Sequence, residues 1–317
     1  MQRLGQFVFA AGLSMTLAAA LLSAGDSKKD DPGQIGNRDV SKGVNFYSLE
    51  KERALGRQLA QEVERQAKIV DDPLVAEYIN RLGQNLVRNS DAKAPFTFKV
   101  IESPEVNAFA LPGGYVFVYS GLVRIADEED ELAAAMAHEI AHVAARHMTR
   151  QATKTQLANM AAIPAGVFLG GWTGYAARQG ARLAIPMTFL NFARKDESEA
   201  DYLGVQYLYA AGYDPTGAIS IFEKMEALER RAPGTISRAF STHPMDADRI
   251  ARTEKEIEAI LPARPEYVVT TSDYAAMRQR LMARETPPQK SAPEQPTLKT
   301  APGAKVPGAT AGPGSRR

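Results

Sequence analysis

The residues with the clearest capacity for chemistry are in His138-Glu139-Ile140-Ala141-His142, near the middle of the 317-residue chain. Residues four apart on an α-helix lie on one face, so the imidazoles of His138 and His142 can bind one metal ion. Glu139 lies about 100° further round the helix, where its carboxylate can take a proton from a water molecule on that ion. This donor set predicts one Zn²⁺ per chain and a hydrolytic reaction with Glu139 as general base. The alternative is a helix with two surface histidines.

A catalytic zinc ion also needs a third protein ligand and an open position. The chain has no cysteine, so that ligand is a histidine or a carboxylate. On a continuing helix His147 points about 140° away from His142, and we predict a structural role for it. Glu197 and Asp201 share a helix face, so Glu197 could bind zinc while Asp201 accepts a hydrogen bond from a ligating imidazole. The alternative is an acidic helix start, and we predict that Glu199 points elsewhere into solvent.

Four segments, in one order along the chain, carry a resemblance to a known family. They are residues 106–114, the metal segment 138–142, residues 197–201, and Ser241-Thr242-His243-Pro244. Together they resemble the zinc metallopeptidase family of the CAAX prenyl proteases, HtpX and BepA, and most of all its exported branch, over residues 46–262. The resemblance implies Glu197 as the third zinc ligand. It also implies a mostly helical α+β fold, with a zincin-type catalytic domain and a small β-sheet beside the metal-binding helix.

His243 is the one histidine outside the region of the metal-binding helix. Taken alone, it could be a surface residue before Pro244, a donor to the oxyanion of the tetrahedral intermediate, or an occupant of the open zinc position. The resemblance favours the last role, in which His243 is a removable fourth ligand that blocks the site. Arg249 matches an arginine of the family and is a second candidate for the oxyanion donor. The candidate catalytic residues are therefore Glu139, His243 and Arg249.

A substrate-binding strand is predicted just before the metal-binding helix. The sequence Leu111-Pro112-Gly113-Gly114 indicates a turn, and Tyr115 to Tyr119 is rich in β-branched and aromatic residues. We expect this strand to lie at the sheet edge and to hold an extended polypeptide by backbone pairing. The predicted contact residues are Gly113, Gly114, Tyr115, Val116 and Phe117. The alternative is an ordinary core strand with a turn before it.

The elements that must position these residues follow from hydrophobic periodicity and helix-start signals. A helix is predicted after Ser48, and a second one starts at Asp72-Pro73. A strand spans residues 96–101, and the metal-binding helix runs from the acidic cluster at 127–131 to Arg150. Further helices are predicted over residues 194–211, from Asp214-Pro215 to about 230, and over 247–260.

The ends of the chain differ in composition from its middle. Residues 1–25 have a positive flank and an uncharged apolar run, which indicates a cleavable signal peptide or an N-terminal anchor. Residues 26–45 are predicted to be a linker, 46–262 the metallopeptidase domain and 263–284 a C-terminal helical extension. Residues 285–317 are rich in Pro and Gly with few large apolar residues, which predicts disorder. An exported chain without cysteine suits the periplasm, so we expect a periplasmic location.

The net charge of +1 gives no indication of a nucleic-acid partner. Residues 158–177 carry no charge, and we expect an apolar loop or hairpin near the cleft that contacts a membrane surface, unfolded substrate or the core. Three functions remain: an endopeptidase for misfolded or processed envelope proteins, a chaperone or assembly factor with a mostly latent peptidase, and a metal-stabilised binding module. Glu139 argues against the third, because structural zinc needs no general base.

Overall fold

The computed structural model describes residues 31–161, 192–231, 243 and 248–285. Within them the elements are α1 (Leu49–Gln66), α2 (Pro73–Arg88), β1 (Thr97–Ile101), β2 (Ala108–Leu111), β3 (Tyr115–Tyr119), α3 (Ser120–Ile125), α4 (Glu129–Ala144), α5 (His147–Ala161), α6 (Arg194–Ala210), α7 (Gly217–Arg231), α8 (Arg249–Ile260) and α9 (Ser272–Glu285). The prediction of a mostly helical α+β fold with a small sheet is confirmed. Strand β2 and the short helix α3 were not predicted.

Helix starts follow the local sequence signals. At α2 the Asp72 carboxylate accepts hydrogen bonds from the second and third backbone N–H groups of the helix, and Pro73 occupies the first position. At α4 Glu128 and Glu131 form a capping box, which satisfies backbone donors at both positions. The start of α4 is therefore fixed by local hydrogen bonds, and the first turn sets the phase of the whole metal-binding helix.

The sheet has three strands in the order β1-β3-β2. β3 pairs in parallel with β1 and in antiparallel with β2, where Phe109 lies opposite Phe117. The prediction that Tyr115 to Tyr119 forms an edge strand is therefore wrong, because both sides of β3 are already paired. Among the described residues, β2 is the edge that lies against the metal-binding helix.

The glycines of the β2–β3 turn are required by packing within the chain. Gly113 and Gly114 have φ angles of 75° and 91°, a region that favours glycine. A Cβ on Gly113 would lie 2.5 Å from Arg53 Cα, and a Cβ on Gly114 would lie 2.3 Å from Pro95 O. Both glycines are thus explained by the turn and its close neighbours, which was the alternative to a role in substrate binding.

The metal-binding helix α4 is buried along nearly its whole length. Its many alanines leave room for α2, β2, α6 and α7 to pack around it. The closest neighbour is α6, which approaches at Gly204, where an added Cβ would lie 3.3 Å from His138 Cα. Small residues on both helices therefore bring the backbone of α6, and with it Glu197 two turns earlier, next to the histidines.

The described part of the segment predicted to be a linker packs against the domain. Arg38 and Val40 are buried, and the Arg38 guanidinium pairs with Asp91 and with the Gln206 side chain. The predicted export segment at 1–25 lies outside the described residues, as do 162–177 of the predicted apolar loop and 286–317 of the predicted disordered tail. The described residues of these segments are helical, since 158–161 end α5 and 285 ends α9. In the part that is described, none of the helices combines the length and the hydropathy needed to cross a membrane.

Candidate active site

Three side chains from two helices converge on one point. His138 and His142 lie one turn apart on α4, with their Nε2 atoms 3.0 Å apart. Glu197, in the first turn of α6, places a carboxylate oxygen 3.4 Å from each of these nitrogens. All three side chains are buried. The structure thus brings together the three residues that the sequence predicts as metal ligands.

The residues present fit a metal ion. One nitrogen or oxygen each from His138, His142, Glu197 and His243 lies within 4.8 Å of the others. Within the described residues, Glu197 Oε2 and His243 Nε2 are buried without a hydrogen-bond partner, a costly arrangement for polar atoms. Two histidines and a glutamate are the donor set of many catalytic zinc sites, in which a fourth position stays open. The cluster therefore has the ligands and the unsatisfied atoms that a cation would use.

The charge states of Glu197 and His142 suit cation binding, whereas His138 would have to release a proton when a metal binds. Burial disfavours the carboxylate of Glu197, but the imidazoles of His243, His138 and His142 outweigh it and hold its pKa well below the usual range. Burial lowers the pKa of His142 well below its usual value, so its imidazole is neutral and has a lone pair to donate. Burial also lowers the pKa of His138, but hydrogen bonds to Asp201 and Glu197 win and raise it to about 9.

Glu139 lies beside the cluster and does not belong to it. Its carboxylate is 3.3 Å from His243 Nε2 and receives a hydrogen bond from the Ala110 backbone N–H. Burial raises the pKa of Glu139, while the nearby His243 and His138 oppose that shift. A carboxylate with a raised pKa next to a metal site is suited to taking a proton and giving it back.

Asp201 and Arg249 support His138 from behind. The Nδ1 atom of His138 is 2.9 Å from Asp201 Oδ1, the distance that the predicted supporting role requires. Arg249 donates to both oxygens of Asp201, at 2.8 and 2.6 Å, and its guanidinium lies over the Phe222 ring. The same guanidinium is 3.3 Å from His138 Nδ1. This geometry makes Arg249 a clamp for Asp201, and its role as an oxyanion donor stays a prediction.

His243 lies in the centre of the cluster. Its Nδ1 atom is 3.0 Å from Glu197 Oε1 and 3.3 Å from His138 Nε2. Its ring also packs edge-on against His142, and the residue is buried. The side chain therefore lies where a water molecule or a substrate carbonyl would have to approach the ligands. Both the blocking role and the oxyanion role place His243 near this point, and both stay predictions.

The helix that carries the histidines does not continue to Arg150 as predicted. It ends at Ala144, and a new helix starts at His147 after Arg146, whose φ angle of 57° is left-handed. This conformation costs a non-glycine residue about 1–2 kcal/mol. The Arg146 side chain offsets the cost, because its Nε atom donates to Glu52 at 2.8 Å. Arg146 therefore changes the direction of the chain, and the His147 side chain does not point where it would on a continuous helix.

The predicted orientation of His147 is wrong as a result, and so is the prediction that Glu199 is solvated, although Glu199 does point away from the metal ligands. His147 is fully buried, with Nδ1 3.0 Å from the Nδ1 of His142. Glu199 is not solvated, because its carboxylate contacts His147 Nε2 at 3.2 Å and lies 3.5 Å from the Arg150 guanidinium. Both residues belong to the surroundings of the metal ligands.

The edge strand β2 lies beside Glu139. The Asn107 carbonyl accepts a hydrogen bond from the Tyr119 N–H, so the backbone polar groups of Asn107 face β3. These directions alternate along a strand, so the backbone N–H and C=O groups of Ala108 and Ala110 point away from β3. The Ala110 N–H points at Glu139, as this alternation requires. The hydrogen-bonding groups of Ala108 and Ala110 are thus directed towards the candidate active site, not those of Tyr115 to Phe117.

A small cavity lies at each end of β2. One has about 20 Å³ of free space and is lined by Leu111, Pro112, Gly113, His142, Arg146 and Phe192, among others. The other has about 40 Å³ and is mostly apolar, with Ala108, Leu122, Ile221, Phe222 and Met225 around Glu139 and His243. An extended chain lying along β2 would direct its side chains towards these cavities on either side of the metal ligands.

A sequence model of peptidase family M48 matches residues 73–257, which is more than half of the chain and includes all the residues on α4 and α6 described above. The chain belongs to peptidase family M48. The matched residues are therefore a metallopeptidase-family domain, and they include the candidate metal ligands on α4 and α6.

Curated relatives of this M48 peptidase agree with that assignment. The beta-barrel assembly-enhancing protease of Escherichia coli K12 is 32% identical over 244 residues, 74% of this chain and 49% of that protein. The metalloprotease LoiP of the same organism is 29% identical over 78% of this chain and 96% of its own length. The mitochondrial metalloendopeptidase OMA1 of Schizosaccharomyces pombe is 34% identical over 56% of this chain and 52% of that protein. The chain thus spans about half the length of the assembly-enhancing proteases.

Two features of the M48 site were missed in the sequence, and only one had a local signal. Ala108-Phe109-Ala110-Leu111 alternates small and large residues just before a Pro-Gly-Gly turn, which is typical of the first strand of a hairpin. The contact between His147 and His142 had no comparable signal. The residues between the two histidines include neither Gly nor Pro, so nothing indicated that the helix would break.

Proposed function

We propose that this M48 peptidase is a zinc-dependent endopeptidase that cleaves extended segments of cell-envelope proteins. The observation that carries the proposal is the position of Glu139. It lies between the convergent His138, His142 and Glu197 side chains and the edge of β2, where its carboxylate meets the Ala110 N–H. A base, a metal-ligand set and a strand edge in one place are what hydrolysis of a backbone amide requires.

Each protein group has a defined task in this proposal. His138, His142 and Glu197 would hold zinc, which supplies a polarised water and stabilises charge on the substrate carbonyl. Glu139 takes the proton from the attacking water and delivers it to the leaving amine nitrogen, so the peptide C–N bond breaks and a carboxylate and an amine result. Asp201 and Arg249 keep His138 in place, and the buried surroundings strengthen each of these electrostatic contacts.

The substrate is proposed to pair with β2. On the side away from β3, Ala108 offers its N–H and C=O and Ala110 its C=O, while the Ala110 N–H meets Glu139. Pairing of this kind needs an extended chain but tolerates most side chains. The apolar cavity beside Glu139 would favour a residue of modest size, because about 40 Å³ accommodates little more than a branched aliphatic tip. Such a site selects unfolded or loosely folded polypeptides, which suits the removal of misfolded or unassembled proteins.

The cellular setting is also a proposal. Residues 1–25 have the pattern of an export signal or anchor, and one relative is named a beta-barrel assembly-enhancing protease. We infer that the enzyme works in the periplasm on envelope proteins, with contact to a membrane surface through residues 158–177.

A second candidate is an assembly factor whose peptidase is mostly latent. The position of His243 favours it, because this side chain contacts both Glu139 and Glu197 and occupies the approach to the site. In that case binding of a polypeptide would be the main activity, and cleavage would require His243 to move.

The deciding experiment combines a metal analysis with a cleavage assay. The purified protein should contain one zinc per chain and should cleave casein at neutral pH. Glu139→Gln is the matched control, since it should retain zinc and the melting temperature but lose cleavage. Absence of zinc from the folded protein would refute the proposed metal site. Casein binding without cleavage, equal in both proteins, would instead support the assembly factor.

A further inference from the structure

The geometry around His142 differs from that around His138. Helix α6 supplies an acceptor directly to His138, through Asp201 at 2.9 Å. Within the described residues no carboxylate pairs with His142 Nδ1, and the atom that meets it is Nδ1 of His147, at 3.0 Å. His147 in turn contacts Glu199 on α6 at 3.2 Å. A second connection from a metal-facing imidazole to helix α6 therefore runs through another imidazole.

With a metal on His142 Nε2, one arrangement of protons satisfies the contacts of His142 and His147. His142 Nε2 faces the other ligands, at 3.0 Å from His138 Nε2 and 3.4 Å from Glu197, so it carries the lone pair that would bind the metal. A neutral His142 then has its proton on Nδ1 and donates it to His147 Nδ1. His147 must carry its own proton on Nε2, which donates to the Glu199 carboxylate. Each donor has one acceptor, and no two protons meet.

The break in the helix at Arg146 is what makes this chain of hydrogen bonds geometrically attainable. Five residues along a continuous helix, His147 would point about 140° away from His142. The left-handed Arg146 starts a new helix at His147, and the two imidazole rings meet with centroids 4.9 Å apart at an angle of 76°. His147 is fully buried, so water does not compete for its nitrogens.

We propose that His147 is a positioning residue for the M48 reaction. It accepts the Nδ1 proton of His142, and with Glu199 it holds this ligand in one tautomer and one orientation. It does not touch the reacting atoms, and it acts through His142. The proposal rests on the proposed zinc site, because it concerns how firmly one of the ligands is held. Partners in this position commonly change metal affinity by about 10–100-fold.

A matched pair of substitutions separates this role from simple packing. His147→Asn keeps an acceptor oxygen close to the position of Nδ1, whereas His147→Leu has a similar size and no acceptor. Zinc affinity is measured on full-length protein by competition with a chromophoric chelator, and the visible spectrum of the Co²⁺ form reports the ligand geometry. The expected result is about 10–100-fold weaker zinc binding and an altered Co²⁺ spectrum in His147→Leu. His147→Asn should recover most of the affinity and the wild-type spectrum.

A third variant, Glu199→Gln, keeps the experiment decisive if His147→Leu does not fold. It leaves an acceptor for His147 but removes the charge, so zinc binding should be weaker than in the wild type while the Co²⁺ spectrum stays nearly unchanged, and a zinc affinity equal to that of the wild type would overturn the proposal. Equal zinc affinities in the wild type and the folded His147 variants would overturn the proposal while leaving the zinc site intact. Equal losses in His147→Asn and His147→Leu would also overturn it, because packing would then explain both.

The same measurement tests the alternative that His147 binds a metal itself. Its Nε2 atom and carboxylate oxygens of Asp196 and Glu199 lie within 4.8 Å of one another. That alternative requires two zinc ions per wild-type chain and one in His147→Leu, and this result would refute the positioning role. One zinc per chain in both proteins supports it. A wild-type chain without zinc would refute the proposed zinc site itself, and the positioning role with it.

Discussion

His243→Ala is expected to raise proteolysis. In the structure His243 Nδ1 is 3.0 Å from Glu197 Oε1, and its Nε2 is 3.3 Å from a Glu139 oxygen. If these contacts block both Glu197 and Glu139, the enzyme works only in the fraction of molecules in which His243 has moved away. Removing the imidazole should make every molecule competent.

The size of the effect follows from the strength of these contacts. A hydrogen bond to a charged group contributes about 1.5–3 kcal/mol, and the 3.0 Å contact with Glu197 is of this kind. A displaced state that lies this far above the blocked state is populated at about 1–10%, so the observed rate is reduced by that fraction. His243→Ala should therefore raise kcat/KM by about 10- to 100-fold.

The assay is the initial rate of cleavage of a quenched fluorescent peptide and of casein, with zinc content measured in the same samples. The double variant with Glu139→Gln is the control, because it should remain inactive and so exclude a contaminating protease. Self-cleavage of the single variant should also increase. A fall in kcat/KM by about 10²–10³-fold would refute the blocking role, since it is the loss expected for an oxyanion donor.

Three further outcomes are expected. Asp201→Asn should weaken zinc binding by about 10–100-fold in chelator competition, because it loses the charged acceptor of His138; unchanged affinity would contradict the supporting role. Asp130→Asn should stabilise the protein by about 1–3 kcal/mol at pH 8 and by less at pH 5. Burial raises the pKa of Asp130 to about 7, so the charged carboxylate destabilises the folded state increasingly as the pH rises above about 4. Equal gains in thermal melts at both pH values would contradict this reasoning. Gly56→Ala should cost about 1–3 kcal/mol in urea denaturation, because a Cβ there would lie 1.7 Å from Pro112 O, and an unchanged midpoint would show that α1 shifts freely.

The parts of the site that could be predicted from the sequence depend on short-range geometry. The spacing of His138, Glu139 and His142 determines their relative directions on a helix, whatever the rest of the fold. Glu197 is different, because its spacing only makes it compatible with a ligand role. The resemblance to a metallopeptidase family identified it, and the structure shows the physical reason, which is the close approach of α6 at Gly204.

The predictions that were wrong concern features that depend on contacts distant in sequence, or on a backbone conformation that no residue type indicates. The order of the strands is set by which edges pair, and the β-branched residues of β3 suit a central strand as well as an edge strand. The left-handed Arg146 is held by Glu52, almost a hundred positions earlier, so no pattern near residue 146 could reveal it. The burial of Arg38 depends likewise on Asp91, in the loop after α2, and on Gln206 of α6.

The attachment of the ligands to two different helices has a consequence for the stability of the chain. A zinc ion bound by His142 on α4 and Glu197 on α6 would join two points roughly 55 residues apart, in a protein that has no cysteine with which to form a covalent cross-link. Closing a loop of that length in the unfolded chain corresponds to about 4 kcal/mol on the scale used for disulfides. The metal would then act as a reversible staple as well as a reagent, and chelators would loosen the fold and stop the chemistry together.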